Sequence, residues 1–582
     1  MFGGNMSRSG WRFAVVAALS LAGLAGAVAA ENLTYPGTRR DAIVETIFGT
    51  KVADPYRWLE ADLHADAGVQ AWIAQERGLT STYLATLPER SAIHEQLTAT
   101  WNFEKLSAPR RRGNRLFFER NSGLQNQNLI YVEDPGGARR VLVDPNALSA
   151  TGGIVVHEWM PSPAGDKLLY ARQTNGGDHR ELHVVDVATG EDRDVGVAGV
   201  RTPTWDWSSD GSAIYYARYS DGGTGSVAAA SAPSIYLHRM GTPQRNDLKL
   251  FDGPGSGQLL LWPHASEDGR WLVIETSTTD GTRANVTLLD LANPASLPRK
   301  LVTGLKASWR YVGAAKDKLF FFTTAGAPRG RVVALDPLGR PDDAGITLAA
   351  EGKAPIQQAL LAGNELVVRY LDGLQSSIRR YDLAGAALGE VPLPPLTVIG
   401  QLQGRRGDNN LFYTVSSLIM APTVYRLDLS TGRNSLLDAP DTAWRPSDYV
   451  VRQVFATSKD GTRIPVTLAY RRDLPTSIPR PTIVMVYGGW GISVDLGFYE
   501  SRFAWMRLGG VFAIAHIRGG GEYGDAWHRA ALKVGHLRGV DDFIAATEAL
   551  QSARITTPAQ TIAYGSSNGG MMVSVASRPP CY

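Results

Sequence analysis

Five residues, Gly565-Ser566-Ser567-Asn568-Gly569, have the types and spacing for nucleophilic chemistry. They fit G-x-S-x-G. A short strand-like run, Thr561–Tyr564, precedes them, and a small, apolar stretch, Gly570–Ala576, follows. A strand that turns sharply into a helix leaves no room for side chains beside the turn, so glycines flank the serine and its oxygen projects from the sheet edge. Five residues alone fit a structural Gly/Ser turn equally well; the strand before and helix after favour the chemical reading. Ser567 is then the candidate nucleophile for acyl transfer, and the backbone N–H of Asn568 the candidate donor to the oxyanion. A second donor belongs on the loop after an earlier apolar strand. Tyr487-Gly488-Gly489-Trp490 stands at such a place, with glycines that permit close backbone approach and a Tyr487 hydroxyl that can face a developing oxyanion. Taken without the elbow, Tyr487 reads as a strand-end residue.

Serine is a poor nucleophile near neutral pH without an adjacent base. In hydrolases with this elbow the order is serine, then Asp or Glu, then His. Fifteen residues follow Ser567, and none is Asp, Glu or His. The ten histidines all lie upstream. His516 follows an apolar strand and reads as structural; His528 and His536 read as surface residues of a loop-helix segment. The expectation is that the triad acid and base are absent from these 582 residues, which would be inactive or nearly so. A frameshift, an early stop or a fragmentary gene would account for it, and the elbow strand would be left as an uncovered apolar edge. No metal site is expected: His179 and His183 are four apart but cross a turn and a strand rather than one helix face. Arg518-Gly519-Gly520-Gly521 lacks the Lys-Ser/Thr pair of a phosphate loop. No cofactor is expected.

The elements that must position these residues change character along the chain. Residues 31 to about 105 read as loop, then helices, with helical spacing from Asp54-Pro55-Tyr56-Arg57-Trp58-Leu59-Glu60 through Trp72 and Leu84. From about 106 to 435 short β-branched and aromatic runs alternate with Gly, Asp and Asn turns. They form seven pairs: Leu116–Arg120 with Leu129–Glu133, Lys167–Arg172 with Glu181–Val187, Ala213–Arg218 with Ser234–Arg239, Trp271–Glu275 with Thr287–Asp290, Lys318–Thr323 with Arg331–Asp336, Glu365–Tyr370 with Ser377–Leu383, and Asn410–Thr414 with Pro422–Leu429. Successive pairs start 45 to 58 residues apart, the period of a four-stranded propeller blade, with each pair the middle of its blade. A β-sandwich array is the alternative; near-constant spacing favours a closed seven-bladed ring. After about 445, apolar strands at Ile464–Tyr470, Thr482–Tyr487, Val511–His516 and Thr561–Tyr564 alternate with helical sequence such as Val540–Leu550, the pattern of a largely parallel sheet covered on both faces.

Composition sets the outer limits. At 582 residues the chain is beyond the roughly 250–300 at which a single core stops growing, so at least two domains are expected. Charged residues are 20% and the formal net charge is +3 with no dense Lys/Arg run, which argues against disorder and against a nucleic-acid partner. The one cysteine, Cys581, excludes an intrachain disulfide. Arg8 and Arg12 precede an apolar run from Phe13 to Ala30 that ends in Ala27-Val28-Ala29 and Ala30. This is a secretory signal pattern over 1–29, implying a periplasmic or secreted protein; a membrane anchor is the alternative.

Several motifs together resemble the prolyl oligopeptidase family. They are Asp54-Pro55-Tyr56-Arg57-Trp58-Leu59-Glu60, Gly123-Leu124-Gln125-Asn126-Gln127, Ser458-Lys459-Asp460-Gly461-Thr462-Arg463-Ile464-Pro465, Arg518-Gly519-Gly520-Gly521-Glu522-Tyr523-Gly524 and the elbow, in the family's order. The resemblance implies a doubly wound α/β-hydrolase domain, its C-terminal part missing, with an inserted seven-bladed β-propeller. Its expected parts are a leader at 1–29, an N-terminal helical portion of the hydrolase at 30–105, the propeller at 106–435 and a truncated catalytic domain at 436–582. It also implies Ser567 as nucleophile, Tyr487 and Asn568 as oxyanion donors, and Trp490 as the aromatic of the proline pocket. The implied activity is a serine endopeptidase cleaving short peptides after proline, monomeric and without stable membrane insertion once the leader is removed. A non-catalytic remnant or propeller binding module is the competing expectation. An esterase or acylaminoacyl peptidase of the same fold fits the N-terminal motif poorly.

Overall fold

The computed structural model describes residues 33–577 apart from 64, 178, 202–203, 220–231, 256–258 and 476, and only the backbone of 194–195. The expected leader and Cys581 lie outside the described residues. The chain divides into two compact units, one ending at Glu95 and one beginning at Gln96.

The first unit opens with a hairpin where the sequence leads one to expect loop. Val44–Ile47 pairs with Thr50–Ala53 across a two-residue turn in which Phe48 (φ 48°) and Gly49 (φ 81°) are both left-handed, the geometry that matches strand twist. Arg57 then gathers Asp54 at 2.7 Å and Glu45 at 2.8 Å, which gives the Asp-Pro-Tyr-Arg motif a structural role. The helix Ala67–Ala85 starts at Asp66, whose carboxylate accepts the Val69 N–H at 2.9 Å. A second helix, Arg90–Trp101, carries the chain into the second unit.

The second unit begins with seven antiparallel sheets of four or five strands between Lys105 and Asp438. They form a seven-bladed propeller, and each sequence-read pair is the middle hairpin of its blade. A blade is stacked between two others, so its middle strands bury both faces and read as continuous apolar runs: all but one residue of Trp271–Thr278 and of Asn410–Ser417 is buried. The outermost strands face solvent, as Ala387–Val391 shows. Apolar clusters fill the interfaces between successive blades; Leu288 of the fourth packs with Phe321 of the fifth. The seam between the seventh and first blades is held differently. The Gln401 side chain accepts the Ala108 N–H at 2.7 Å, Arg120 bridges Glu104 and Asp438 at 2.9 and 3.0 Å, and a cavity of about 340 Å³ lies beside them. A loop of the seventh blade reaches other blades across the ring: Arg405 donates to Pro163 O of the second and Arg406 to Ala314 O of the fifth, both at 2.9 Å. Burial, with Arg405 and Arg110 beside it, pulls the Arg112 guanidinium down to about 10.

The remaining sheet runs in the order Tyr449–Thr457, Arg463–Arg471, Val511–Ala515, Thr482–Val486, Thr561–Tyr564. The first two pairings are antiparallel and the last two parallel; Tyr449–Thr457 is not among the strands expected from the sequence. Residues alternate between faces. Val511, Ala513 and Ala515 join Phe543, Ala546 and Leu550 of the helix His536–Ser552 on one side. Phe512 and Ile514 join Phe503 and Met506 of the helix Glu500–Arg507 on the other. Phe103 and Trp444, which flank the propeller in sequence, pack edge to face in this second cluster. Thr561–Tyr564 has one described neighbour, and its Ile562 and Tyr564 are exposed.

Candidate active site

Two parallel neighbours, Thr482–Val486 and Thr561–Tyr564, end side by side, with Met485 opposite Tyr564. The loops that follow them therefore leave the sheet at one edge, the carboxyl edge where open α/β sheets bind ligands. One carries Tyr487 and Trp490, the other Ser567.

Ser567 is the N-cap of the helix Asn568–Ala576 at φ 53°, ψ −121°. That conformation costs a non-glycine residue of order 1–3 kcal/mol. It is imposed by the tightness of the corner. A Cβ on Gly565 would lie 2.2 Å from Gly569 O, and a Cβ on Gly569 would lie 2.3 Å from Val486 O. The corner leaves Ser567 exposed, and its hydroxyl caps no N–H of its own helix. Asn568, at the first helical position, has one of the N–H groups that a helix cannot satisfy internally, at the positive end of the helix dipole. A hydroxyl and an orphan N–H are thus presented from adjacent residues, an arrangement suited to attack on a carbonyl whose oxygen turns negative.

Tyr487 is half-buried at the strand end. Its carbonyl accepts a bond from Asn568 Nδ2 at 2.6 Å, so the two predicted oxyanion donors stand on segments tied to each other. Gly489 lies against this amide; a Cβ there would be 2.6 Å from Asn568 Cγ. Trp490 is left-handed (φ 59°) and 53% exposed. It lines a cavity of about 150 Å³ between the loops above the sheet and blades four, five and six, and Ser567, Tyr487 and Asn568 are not among that cavity's walls. The structure therefore ties Ser567, Asn568 and Tyr487 together and sets Trp490 at an adjoining space.

The scaffold beneath these loops was largely invisible in the sequence. Gly519 and Gly521 allow the segment after Val511–Ala515 to press on the Tyr487 loop: a Cβ on either would meet Gly488 O or Gly491 O within 2.2 Å. Glu522 accepts the Val494 N–H at 2.9 Å. Arg518 is bonded to Asp542 through its backbone N–H and through Nε and Nη2, and Ser458 donates to the same carboxylate at 2.6 Å. Asp542 and Asp460 hold the Arg518 guanidinium well above its ordinary range, and Arg518 in turn holds the Asp460 carboxyl far below its own. Arg518 and Ser458 belong to motifs visible in the sequence; that they meet on Asp542 has no sequence signal.

Among the upstream histidines, His516 is buried and bonds Thr467 Oγ1 at 3.0 Å, in keeping with a structural role. His528 departs from the surface position expected of it. It is buried, its Nδ1 lies 2.8 Å from Gly519 O, and it underlies Gly491; its partner is a carbonyl on another loop, which local pattern does not reveal. His536 is half-buried, with Nδ1 3.0 Å from Ala531 O, and so is not the surface residue expected either. No hydrogen bond joins any of them to the Ser567 hydroxyl among the described residues. No cluster of three or more metal-ligating side chains occurs among the described residues either, nor any helix there long and apolar enough to cross a membrane.

An exposed serine at a strained strand-to-helix corner, on a sheet that follows a seven-bladed ring, defines an α/β-hydrolase with a propeller. Residues 35–440 match the family described as "Prolyl oligopeptidase, N-terminal beta-propeller domain", and residues 497–580 match "Prolyl oligopeptidase family". The chain belongs to the prolyl oligopeptidase family of serine peptidases. It is 32% identical to the prolyl endopeptidase of Elizabethkingia meningoseptica over 554 residues, covering 94% of this chain and 77% of that protein. The prolyl endopeptidase of Elizabethkingia miricola is 33% identical with the same coverage. Among solved structures, one from a study of two prolyl endopeptidases superposes with a TM-score of 0.87 at 31% identity, over 93% of this chain and 80% of that one. Prolyl oligopeptidase B from Galerina marginata, bound to a 35-mer hydrolysis and macrocyclization substrate, superposes at 0.85 with 25% identity, over 94% and 80%.

Proposed function

We propose that the chain is a peptidase that acts on short peptides after proline, with Ser567 as the acyl-transfer nucleophile. The left-handed corner that exposes Ser567 at the head of a helix is the observation that carries this reading; the likeness to prolyl endopeptidases supports the preference for proline. In this reading Ser567 Oγ attacks the carbonyl carbon of the proline residue. The Asn568 N–H and the Tyr487 hydroxyl receive the negative charge on its oxygen, and Trp490 packs on the proline ring. The Asn568 amide keeps both donors in register through Tyr487 O.

The attacking hydroxyl must lose its proton to an imidazole, which a carboxylate orients. Neither partner bonds Ser567 among the described residues, so we propose that these 582 residues by themselves bind peptide but turn it over only at a residual level. The same observation favours the second reading, a peptide-binding protein without turnover. Two measurements separate them. Intrinsic tryptophan fluorescence should report binding of a blocked Gly-Pro peptide and much weaker binding of its Gly-Ala analogue; equal binding would reject the proline reading. A Gly-Pro aminocoumarin reporter should give a slow rate just above background that Ser567→Ala abolishes; a rate unchanged by Ser567→Ala would favour the second reading. A fast, Ser567-dependent rate would reject the inactivity. We further propose that residues 1–29 are an export leader and that the protein is periplasmic or secreted; a chain recovered from the cytoplasm with an unprocessed N-terminus would count against this.

A further inference from the structure

The cavity beside Trp490 has a second wall whose chemistry the proline reading does not use. On the hydrolase side stand Trp490, Gly491 and His528; on the propeller side stand Phe322, Arg310 and Arg329. Arg310 lies on the inner strand of the fifth blade, exposed, with its guanidinium 5.9 Å from the Phe322 ring centroid. Arg329 lies in the loop between the second and third strands of that blade, also exposed. Its backbone N–H donates to Glu351 at 2.8 Å, but neither guanidinium is ion-paired to a carboxylate among the described residues. The acids of the cavity are already engaged. Asp280 accepts from the Thr278 hydroxyl at 2.5 Å and from the N–H and hydroxyl of Thr282 at 3.0 and 2.9 Å. Asp525 holds Arg529 at 2.6 Å. Two guanidiniums therefore face the cavity with no carboxylate bonded to either, and the planar fork of arginine suits one.

We infer that this cavity extends the peptide site and selects a carboxylate, through Arg310 and Arg329, at a fixed distance from the residue on Trp490. The carboxylate is an acidic side chain of the peptide or its free C-terminus. The inference rests on the proposed role of Trp490 and adds a specificity that proline recognition does not require. Because the site lies between two protein walls, the pairing is partly shielded from solvent yet still screened by salt.

The test is equilibrium binding to the 582-residue protein, which needs no turnover. Acetylated, amidated Gly-Pro hexapeptides carry Glu, Gln or Lys at each other position in turn, and one Gln peptide keeps a free carboxyl terminus. At one position Glu should bind about fivefold more tightly than Gln, the order expected for a partly exposed ion pair, and Lys more weakly than both. The advantage should shrink with added salt and vanish in the double variant Arg310→Gln/Arg329→Gln, while the Gln peptides bind that variant as before. An advantage only for the free carboxyl terminus would assign the site to the peptide end. Equal binding of every acidic peptide and its Gln partner would overturn the inference, as would a preference that survives the double variant. A preference for Glu with no preference for proline over alanine would uphold the carboxylate site and reject the proline reading. Failure of every peptide to bind would reject both.

Discussion

Two turns in this molecule begin from the same local problem and end differently. In the third blade, Ser208-Ser209-Asp210-Gly211 reverses the chain with Gly211 as the left-handed residue (φ 69°). Its carboxylate is satisfied within the turn: Asp210 accepts from the Ser208 hydroxyl at 2.6 Å and from the Ser212 N–H at 3.0 Å. At the elbow the left-handed residue is Ser567 rather than glycine, and its hydroxyl caps no N–H of its helix. Where a chain needs only to turn, glycine takes the awkward dihedral and side chains close their own hydrogen bonds. At the elbow the sequence keeps strain and an open hydroxyl, a pattern expected of chemistry rather than packing.

The comparison breaks most visibly where the elbow's support is removed. Asp542 is fully buried and satisfies Arg518, which is itself 7% exposed. Asp542→Ala leaves a buried guanidinium without its main counter-charge, a loss of about 3–5 kcal/mol. Hydrogen exchange should show faster opening of Val511–Ala515 and its neighbours while the middle strands of the blades keep their protection. Equal acceleration in both regions would mean that the network supports the whole unit rather than the site. Gly569→Ala comes next. Its Cβ would meet the Val486 carbonyl, which is backbone and cannot rotate away, so a loss of about 1–3 kcal/mol is expected, read as a lower thermal midpoint. Gly211→Ala in the blade turn has room, with its nearest neighbour 3.5 Å away, and should cost only the left-handed conformation, about 1 kcal/mol.

Ser567→Gly has the opposite sign. It releases the strained dihedral but adds freedom to the unfolded chain, for a net gain of about 1 kcal/mol. Ser574→Gly, in the same helix at ordinary helical angles, should lose about 0.5 kcal/mol. A destabilised Ser567→Gly would show that the corner is not strained and would remove the main argument for the nucleophile.

The same contrasts mark which features the sequence carries on its surface. The seven hairpins were legible because strands buried on both faces write continuous apolar runs. Ala387–Val391 and Leu248–Asp252, on the rims of their blades, were not, because a mostly solvent-facing strand leaves no pattern. The first hairpin turns on Phe48-Gly49, which lacks the usual Asn-Gly signal. At the candidate site, the strand-to-helix corner at Ser567 and Asn568 was legible because five adjacent residues encode it. The tie from Asn568 to Tyr487 spans 81 positions, and that from Arg518 to Asp542 spans 24; such contacts exist only once the sheet has assembled them. His528 went astray for the same reason.

The smallest effect distinguishes the two turns by pH. The Ser208 hydroxyl, then the N–H and hydroxyl of Ser212, hold the Asp210 carboxyl down to about 2, against about 3.9 in an unfolded chain. A folded-state value below the unfolded one means that the carboxylate stabilises the fold fully above about pH 4 and loses that contribution as pH falls toward 2. Asp210→Ala should therefore lower stability by less than about 1 kcal/mol at pH 7, since the group is largely exposed. The difference in thermal midpoint between wild type and Asp210→Ala should stay constant from pH 7 to pH 5 and narrow between pH 4 and pH 3. The gap between wild type and Ser567→Gly involves no titrating group and should stay constant over the same range. An Asp210 gap that persisted undiminished at pH 3 would mean that the turn is held by its backbone alone. The blade would then resemble the elbow in relying on an imposed corner rather than on satisfied side chains.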